Sequence, residues 1–121
     1  MDAAGKALVV DDNGELRGIV GKMLAILGYE VSSADNGEKA LRIFLRSKID
    51  IVISDYEMPG MDGVTLAHNI KRSSPGTPVI LMTGAAREAV LSKIGTAVDQ
   101  VLLKPFTLAQ IGATISSMYF V

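Results

Sequence analysis

An α/β domain built on a parallel five-stranded sheet is the fold class that this sequence predicts, and three observations predict it. Short, β-branched apolar runs alternate along the whole chain with stretches of helical periodicity. The chain has 121 residues, enough for one domain with a sizeable core. Several of the apolar runs end on residues suited to handling phosphate: Asp11-Asp12, Asp55, Thr83 and Lys104. In an open parallel sheet the carboxyl ends of the strands share one edge, where ligands bind.

The elements follow in order. Ala7–Val10 reads as a first strand. Leu16, Ile19, Val20, Met23, Leu24 and Leu27 recur at spacings of three and four, the inward face of an amphipathic helix, and Gly28 stops it. Tyr29–Ser33 predicts a polar second strand at an edge. Asn36 is placed to cap a helix with Ala40, Leu41, Phe44 and Leu45 inward. Asp50–Ser54 predicts a third strand, apolar enough at its centre to be covered on both faces. A breaker-rich loop, Glu57-Met58-Pro59-Gly60-Met61-Asp62-Gly63, leads to a helix marked by Leu66, Ala67 and Ile70. Val79–Met82 is the fourth predicted strand, Ala86–Ile94 a weakly amphipathic helix, and Gln100–Leu103 the fifth strand. Lys104-Pro105 breaks that strand, and Leu108, Ile111, Ile115 and Met118 line a last helix. With right-handed crossovers, the doubly wound order 2-1-3-4-5 is expected.

Composition narrows the function. The apolar fraction is 49 % and the charged fraction 21 %, with Lys+Arg 12 against Asp+Glu 13 and a net charge of -1. That balance leaves no basic footprint for nucleic acid or anionic lipid. Cysteine is absent, so thiolate metal sites and disulfides are excluded. No apolar stretch approaches the ~20 residues of a membrane span. The start, Met1-Asp2-Ala3-Ala4-Gly5-Lys6, lacks the apolar core of a signal peptide. A cytoplasmic protein is expected.

Taken singly, Asp11-Asp12 reads most simply as a helix cap and Thr83-Gly84 as a strand-ending turn. Placed in the sheet they mean more. Strands 1 and 3 are neighbours at the topological switch point, so Asp11, Asp12 and Asp55 converge in one crevice. Three ionised carboxylates at close range repel, and a hard divalent cation with several retained waters relieves that repulsion. Lys104 closes the strand beside the one ending in Thr83, which places an ammonium and a hydroxyl where an anion over Asp55 would meet them.

On these residues the chain resembles a receiver domain of a two-component response regulator, over essentially its whole length, 1–121, with no output domain in this chain. The resemblance rests on Asp11-Asp12, on Asp55-Tyr56-Glu57-Met58-Pro59-Gly60-Met61-Asp62-Gly63, on Thr83-Gly84 and on Lys104-Pro105-Phe106. It implies that Asp55 is the phosphoacceptor and that Asp11, Asp12, Asp55 and the backbone carbonyl of Glu57 hold Mg2+ or Mn2+. Thr83 and Lys104 would contact the phosphoryl group, and the Lys104–Pro105 peptide would be cis. The implied donor is a phosphohistidine on a sensor histidine kinase or phosphotransfer protein, or a small phosphodonor. The implied product is an altered surface read by a downstream protein, without enzymatic turnover.

The chain departs from the family three residues before the lysine, where Val101 replaces the usual Tyr or Phe. Attenuated or differently read switching is therefore expected. Glu57 and Ala85, each two residues past a site residue, occupy positions that tune phosphoryl lifetime in the family. His68, the one histidine, sits mid-helix beside Ala67 and Ile70 and is assigned a solvated or half-buried structural role, and most of the six methionines are assigned to the core. The apolar end, Met118-Tyr119-Phe120-Val121, is expected to pack back on the last helix, with a homodimer face, or a last helix continuing into the linker of a longer protein, as the alternatives. Competing readings are an aspartate-nucleophile phosphohydrolase with Glu57 as acid, a flavin-phosphate module, and a receiver-like scaffold acting without phosphorylation.

Overall fold

A computed structural model describes residues 5–84 and 87–119. In chain order it contains β1 (Gly5–Val10), α1 (Gly14–Ile26), β2 (Tyr29–Ala34), α2 (Gly37–Arg46), β3 (Ile51–Asp55), α3 (Gly63–Ser73), β4 (Val79–Thr83), α4 (Arg87–Ile94), β5 (Gln100–Leu103) and α5 (Leu108–Ser117). The strands form one parallel sheet in the order β2-β1-β3-β4-β5. The predicted order and the polar edge strand are both present.

Side chains alternate across this sheet and build a core on each face. Leu8, Val10, Val52 and Leu81 meet Phe44, Leu66, Ile70 and Val90 on one side. Val9, Ile51, Ile53, Ile80 and Met82 meet Val20, Leu24, Ile111 and Ile115 on the other. Every residue of β3 and β4 is buried, which is why those strands are unbroken apolar runs. Burial also explains α5, whose Gly, Thr and Ile content makes it a poor helix on propensity alone. Burying Ile111 and Ile115, at roughly 1.5–3 kcal/mol each, outweighs that deficit. A capping box between Thr107 and Gln110 fixes its start.

The two helix signals named from the sequence, Gly28 and Asn36, are present, whereas α1 is capped by Asn13, just past Asp11-Asp12. Gly28 follows α1 with φ +101°, a conformation glycine adopts without steric cost. Asn36 caps α2 by accepting from the Lys39 N–H at 2.8 Å. Two inward assignments are wrong: Leu45 is 61 % exposed and Ile19 is 44 % exposed. Asp55 and Thr83 are the final residues of their strands instead of the first residues after them. Helix α4 is described from Arg87 onward, so Ala86, like Ala85, Met1–Ala4 and Phe120–Val121, lies outside the described residues. Of the apolar chain end, Met118 packs on the core while Tyr119 is 54 % exposed.

At the amino edge of the sheet, two aspartates tie strand starts together. Asp50 accepts from the Lys6 N–H at 2.7 Å, and Asp99 accepts from both the Val79 N–H and Lys71, each at 2.7 Å. The site chemistry lies at the opposite edge. Among the described residues, no helix is long and apolar enough to cross a membrane.

Candidate functional site

Strand register brings the expected residues to one level. Val10 of β1 pairs with Ser54, Asp55 with Met82, and Thr83 with Leu103. Asp11, Asp55, Thr83 and Lys104 therefore emerge together at the carboxyl edge. The chain leaving β5 is held there by the Lys104 N–H, which donates to the Thr83 carbonyl at 2.8 Å. The Lys104–Pro105 peptide is cis, as the resemblance implies.

The structure brings the three carboxylates together: Asp11, Asp12 and Asp55 each offer an oxygen within 4.8 Å of the others. Asp11 is fully buried, Asp55 nearly so, and Asp12 is exposed. Lys104 Nζ lies 2.9 Å from Asp55 Oδ1 and 3.5 Å from Asp11 Oδ2. Burial pushes the Asp55 carboxyl above the usual carboxylate range; the Lys104 hydrogen bond pulls it back, and the Asp11 charge adds to the rise. Burial by itself would lower the Lys104 ammonium, but Asp55 and Asp11 outweigh it and raise it. One cation thus faces three anions in a partly dry crevice. Thr83, at the end of β4, is 3 % exposed.

Whether this crevice suits a cation is tested by one atom. Asp11 Oδ1 accepts from the Asn13 N–H at 2.9 Å. Asp11 Oδ2 is buried and has no hydrogen-bond partner among the described residues. A buried carboxylate oxygen with no hydrogen bond, met only by the Lys104 ammonium at 3.5 Å, is costly. A divalent ion held by few carboxylates and several waters is the partner that this donor set fits. The residues available to hold it are Asp11, Asp12 and Asp55.

The loop after β3 is held against α2 and α3 by close approach. A Cβ at Gly63 would lie 2.3 Å from the Asp55 carbonyl oxygen and 2.6 Å from Leu81 Cδ2. One at Gly37 would lie 2.8 Å from Met61 Cβ. Met58 is buried and Met61 packs against the core, so the methionines flanking Pro59 anchor the loop. The Glu57 side chain, two residues past Asp55, is exposed, and His68 is exposed on α3. Val101 is half-buried against the core beneath α4.

Sequence reasoning missed Arg17. Its guanidinium donates to the Asp11 backbone carbonyl at 2.8 Å. A signal was present: a cation near the start of a helix opposes the helix dipole, so a basic residue four positions past the Asn13 cap needs a local reason.

Comparison with known proteins follows from this geometry. The family model described as response regulator receiver domain matches residues 7–116. A probable transcriptional regulator, ycf27, of Cyanidium caldarium is 40% identical over 114 residues, covering 92% of this chain and 45% of that protein. The autoinducer 1 sensor kinase/phosphatase LuxN of Vibrio harveyi is 37% identical over 101 residues, covering 84% of this chain and 12% of that protein. The chain thus spans about half, or far less, of the length of these relatives. Among solved structures, response regulator protein TrrA of Thermotoga maritima, in complex with Mg(2+)-BeF, superposes with a TM-score of 0.85 at 31% identity, over 98% of this chain and 99% of that one. The receiver domain of sensor histidine kinase PA1611 of Pseudomonas aeruginosa, with a magnesium ion coordinated in the active site cleft, gives 0.83 at 27% identity, over 93% and 94%. Family model, relatives and folds agree with an acidic crevice at the switch point of a 2-1-3-4-5 sheet: this chain belongs to the response regulator receiver domain family.

Proposed function

We propose that Asp55 accepts a phosphoryl group and that the domain works as a phosphorylation-dependent switch in the cytoplasm. The observation that carries this reading is the Lys104 ammonium, 2.9 Å from Asp55 Oδ1 and 3.5 Å from Asp11 Oδ2, above a three-carboxylate crevice. An Asp55 oxygen attacks phosphorus in line, a phosphorus–oxygen bond forms, and the bond to the donor breaks. The leaving group, an imidazole of a partner's phosphohistidine or the carboxylate of an acyl phosphate, departs with that bond's electron pair. Lys104 stabilises charge on the transferring oxygens, and Thr83 offers its hydroxyl to the same group. Asp11, Asp12 and Asp55, with the Glu57 carbonyl, would hold Mg2+ or Mn2+. When bound, the ion neutralises the phosphoryl oxygens and the crowded carboxylates. Water later attacks phosphorus and restores the Asp55 carboxylate.

A sensor histidine kinase or phosphotransfer protein is the donor in this reading, and a downstream protein reads the altered surface. An apolar groove of about 410 Å³ beside the crevice, lined by Leu16, Ile19, Met23 and Phe106, supports contact with the donor. With Val101 under α4, no ring turns inward on phosphorylation, and the output face moves by loop and helix shifts of reduced size. Amide shifts on that face as large with beryllofluoride as in aromatic-bearing receivers would remove the attenuation.

Intact-mass measurement after incubation with acetyl phosphate and Mg2+ tests the central claim. Wild type gains one phosphoryl group, and neither the Asp55→Asn variant nor wild type in chelator does. An unmodified wild type supports the scaffold reading, and a modified Asp55→Asn variant assigns the chemistry elsewhere. Either result overturns the proposal.

A further inference from the structure

We infer that Arg17 is a positioning residue for the cation site, acting through the backbone of Asp11; this rests on the proposed role of the three carboxylates. Asp11 leaves β1 at the point where the ladder ends, so its polar groups need partners outside the sheet. Its N–H still donates to the Ala34 carbonyl at 3.2 Å. Its carbonyl accepts from Arg17 Nη1 at 2.8 Å. Its Oδ1 accepts from the Asn13 N–H at 2.9 Å. Every polar atom of Asp11 but one is thereby held by a hydrogen bond, and the remaining one, Oδ2, is buried and meets the Lys104 ammonium only as a 3.5 Å ion pair.

Arg17 is itself anchored. Its N–H donates to the Asn13 carbonyl at 2.9 Å, and Asn13 Oδ1 caps the same turn by accepting from the Leu16 N–H at 3.1 Å. The side chain folds back over Gly14, where an added Cβ would lie 3.4 Å from Nη2. Cap, helix turn and guanidinium thus form a brace closed on the Asp11 carbonyl. The arrangement places a positive charge near the start of α1, which the helix dipole disfavours. The charge-assisted bond to a carbonyl that the ladder cannot satisfy offsets that cost.

The inference has a sign that simple electrostatics does not share. Removing a cation near a cation site should tighten metal binding by Coulomb's law. Loosening the carboxylate that the cation braces should weaken it, and partners that orient metal ligands are typically worth about 10- to 100-fold in affinity.

The test is a Mg2+ titration of the full chain, followed through the backbone amide signals of Asp12, Asn13 and Asp55. Arg17→Met keeps the apolar stem and removes the donors; Arg17→Lys returns one donor. Arg17→Met is expected to bind Mg2+ about tenfold more weakly, with Arg17→Lys in between. In an Asp11→Asn background, Arg17→Met is expected to change Mg2+ affinity no further. Tighter or unchanged binding in Arg17→Met overturns the inference, as does an equal loss in the Asp11→Asn background. If Arg17→Met does not fold, Arg17→Lys decides alone, and wild-type affinity in it overturns the inference. A wild type that binds no Mg2+ counts instead against the reading of the site.

Discussion

Replacing Asp55 with Asn should stabilise the metal-free protein, although Asp55 sits at the heart of the site. The magnitude follows from distances. With carboxylate oxygens no more than 4.8 Å apart and an effective dielectric constant near 20, Asp11 repels Asp55 by about 3 kcal/mol or more. Asp12 is exposed, so water reduces its repulsion to about 1 kcal/mol. Against these, Lys104 at 2.9 Å attracts Asp55 by about 6 kcal/mol. Burying the carboxylate costs several kcal/mol more, which tips the balance slightly against the ionised form, in agreement with the raised Asp55 pKa. Asn keeps the shape and an acceptor for Lys104 while removing the charge. We expect about 1 kcal/mol of added stability in chelator, or about 4 °C in Tm.

The dependence on pH has a definite sign. A carboxyl whose folded pKa is raised destabilises the folded state only where it is ionised. The advantage of Asp55→Asn is therefore absent at acid pH, grows as pH rises from the usual carboxylate value to the raised folded value, and then stays level. Mg2+ reverses the ranking, because the ion stabilises wild type by about 1.4 kcal/mol at ten times its dissociation constant and the variant far less. Urea melts at neutral and acid pH, with and without Mg2+, measure all of this. A variant less stable than wild type in chelator at neutral pH would refute the like-charge argument. Equal responses to Mg2+ would refute the assignment of the ion to these carboxylates.

Gly63→Ala should destabilise the fold by about 1–3 kcal/mol, since its Cβ would meet the Asp55 carbonyl at 2.3 Å; urea unfolding reads this, and a wild-type midpoint would contradict it. Glu57→Ala should speed phosphorylation by acetyl phosphate, because an exposed anion leaves the mouth of the site. The gain should shrink in high salt, and stopped-time intact mass would show neither effect if Glu57 were idle. Tyr29 should resist ionisation until about pH 12, because burial, Tyr119 and Asp50 all raise its pKa to about 12. Ultraviolet titration compared with Tyr29→Phe isolates its step, and a step near the usual tyrosine value would contradict the burial.

Much of this protein was legible in its residues. Short apolar runs marked the strands, which the sheet buries, and 3.6-residue periodicity marked the helices, each of which turns one face to the core. Asp11, Asp12, Asp55, Thr83 and Lys104 could be grouped before any coordinates, because parallel strands deliver their carboxyl ends to one edge. Leu45 and Ile19 show the limit of such reading. Periodicity marks the apolar side of a helix, while exposure depends on whether a neighbour covers it.

Other features required the folded chain. The Asp11 Oδ2 left without a hydrogen bond, the Arg17 brace and the clash awaiting a side chain at Gly63 all arise between segments or between backbone atoms. Spacing along a chain carries no record of which lone pair is left unused, or of how closely two backbones approach. The order of residue types determined which groups meet at the sheet edge. Tertiary packing decided their distances, their burial and hence their charge states, because those depend on everything that surrounds them in space.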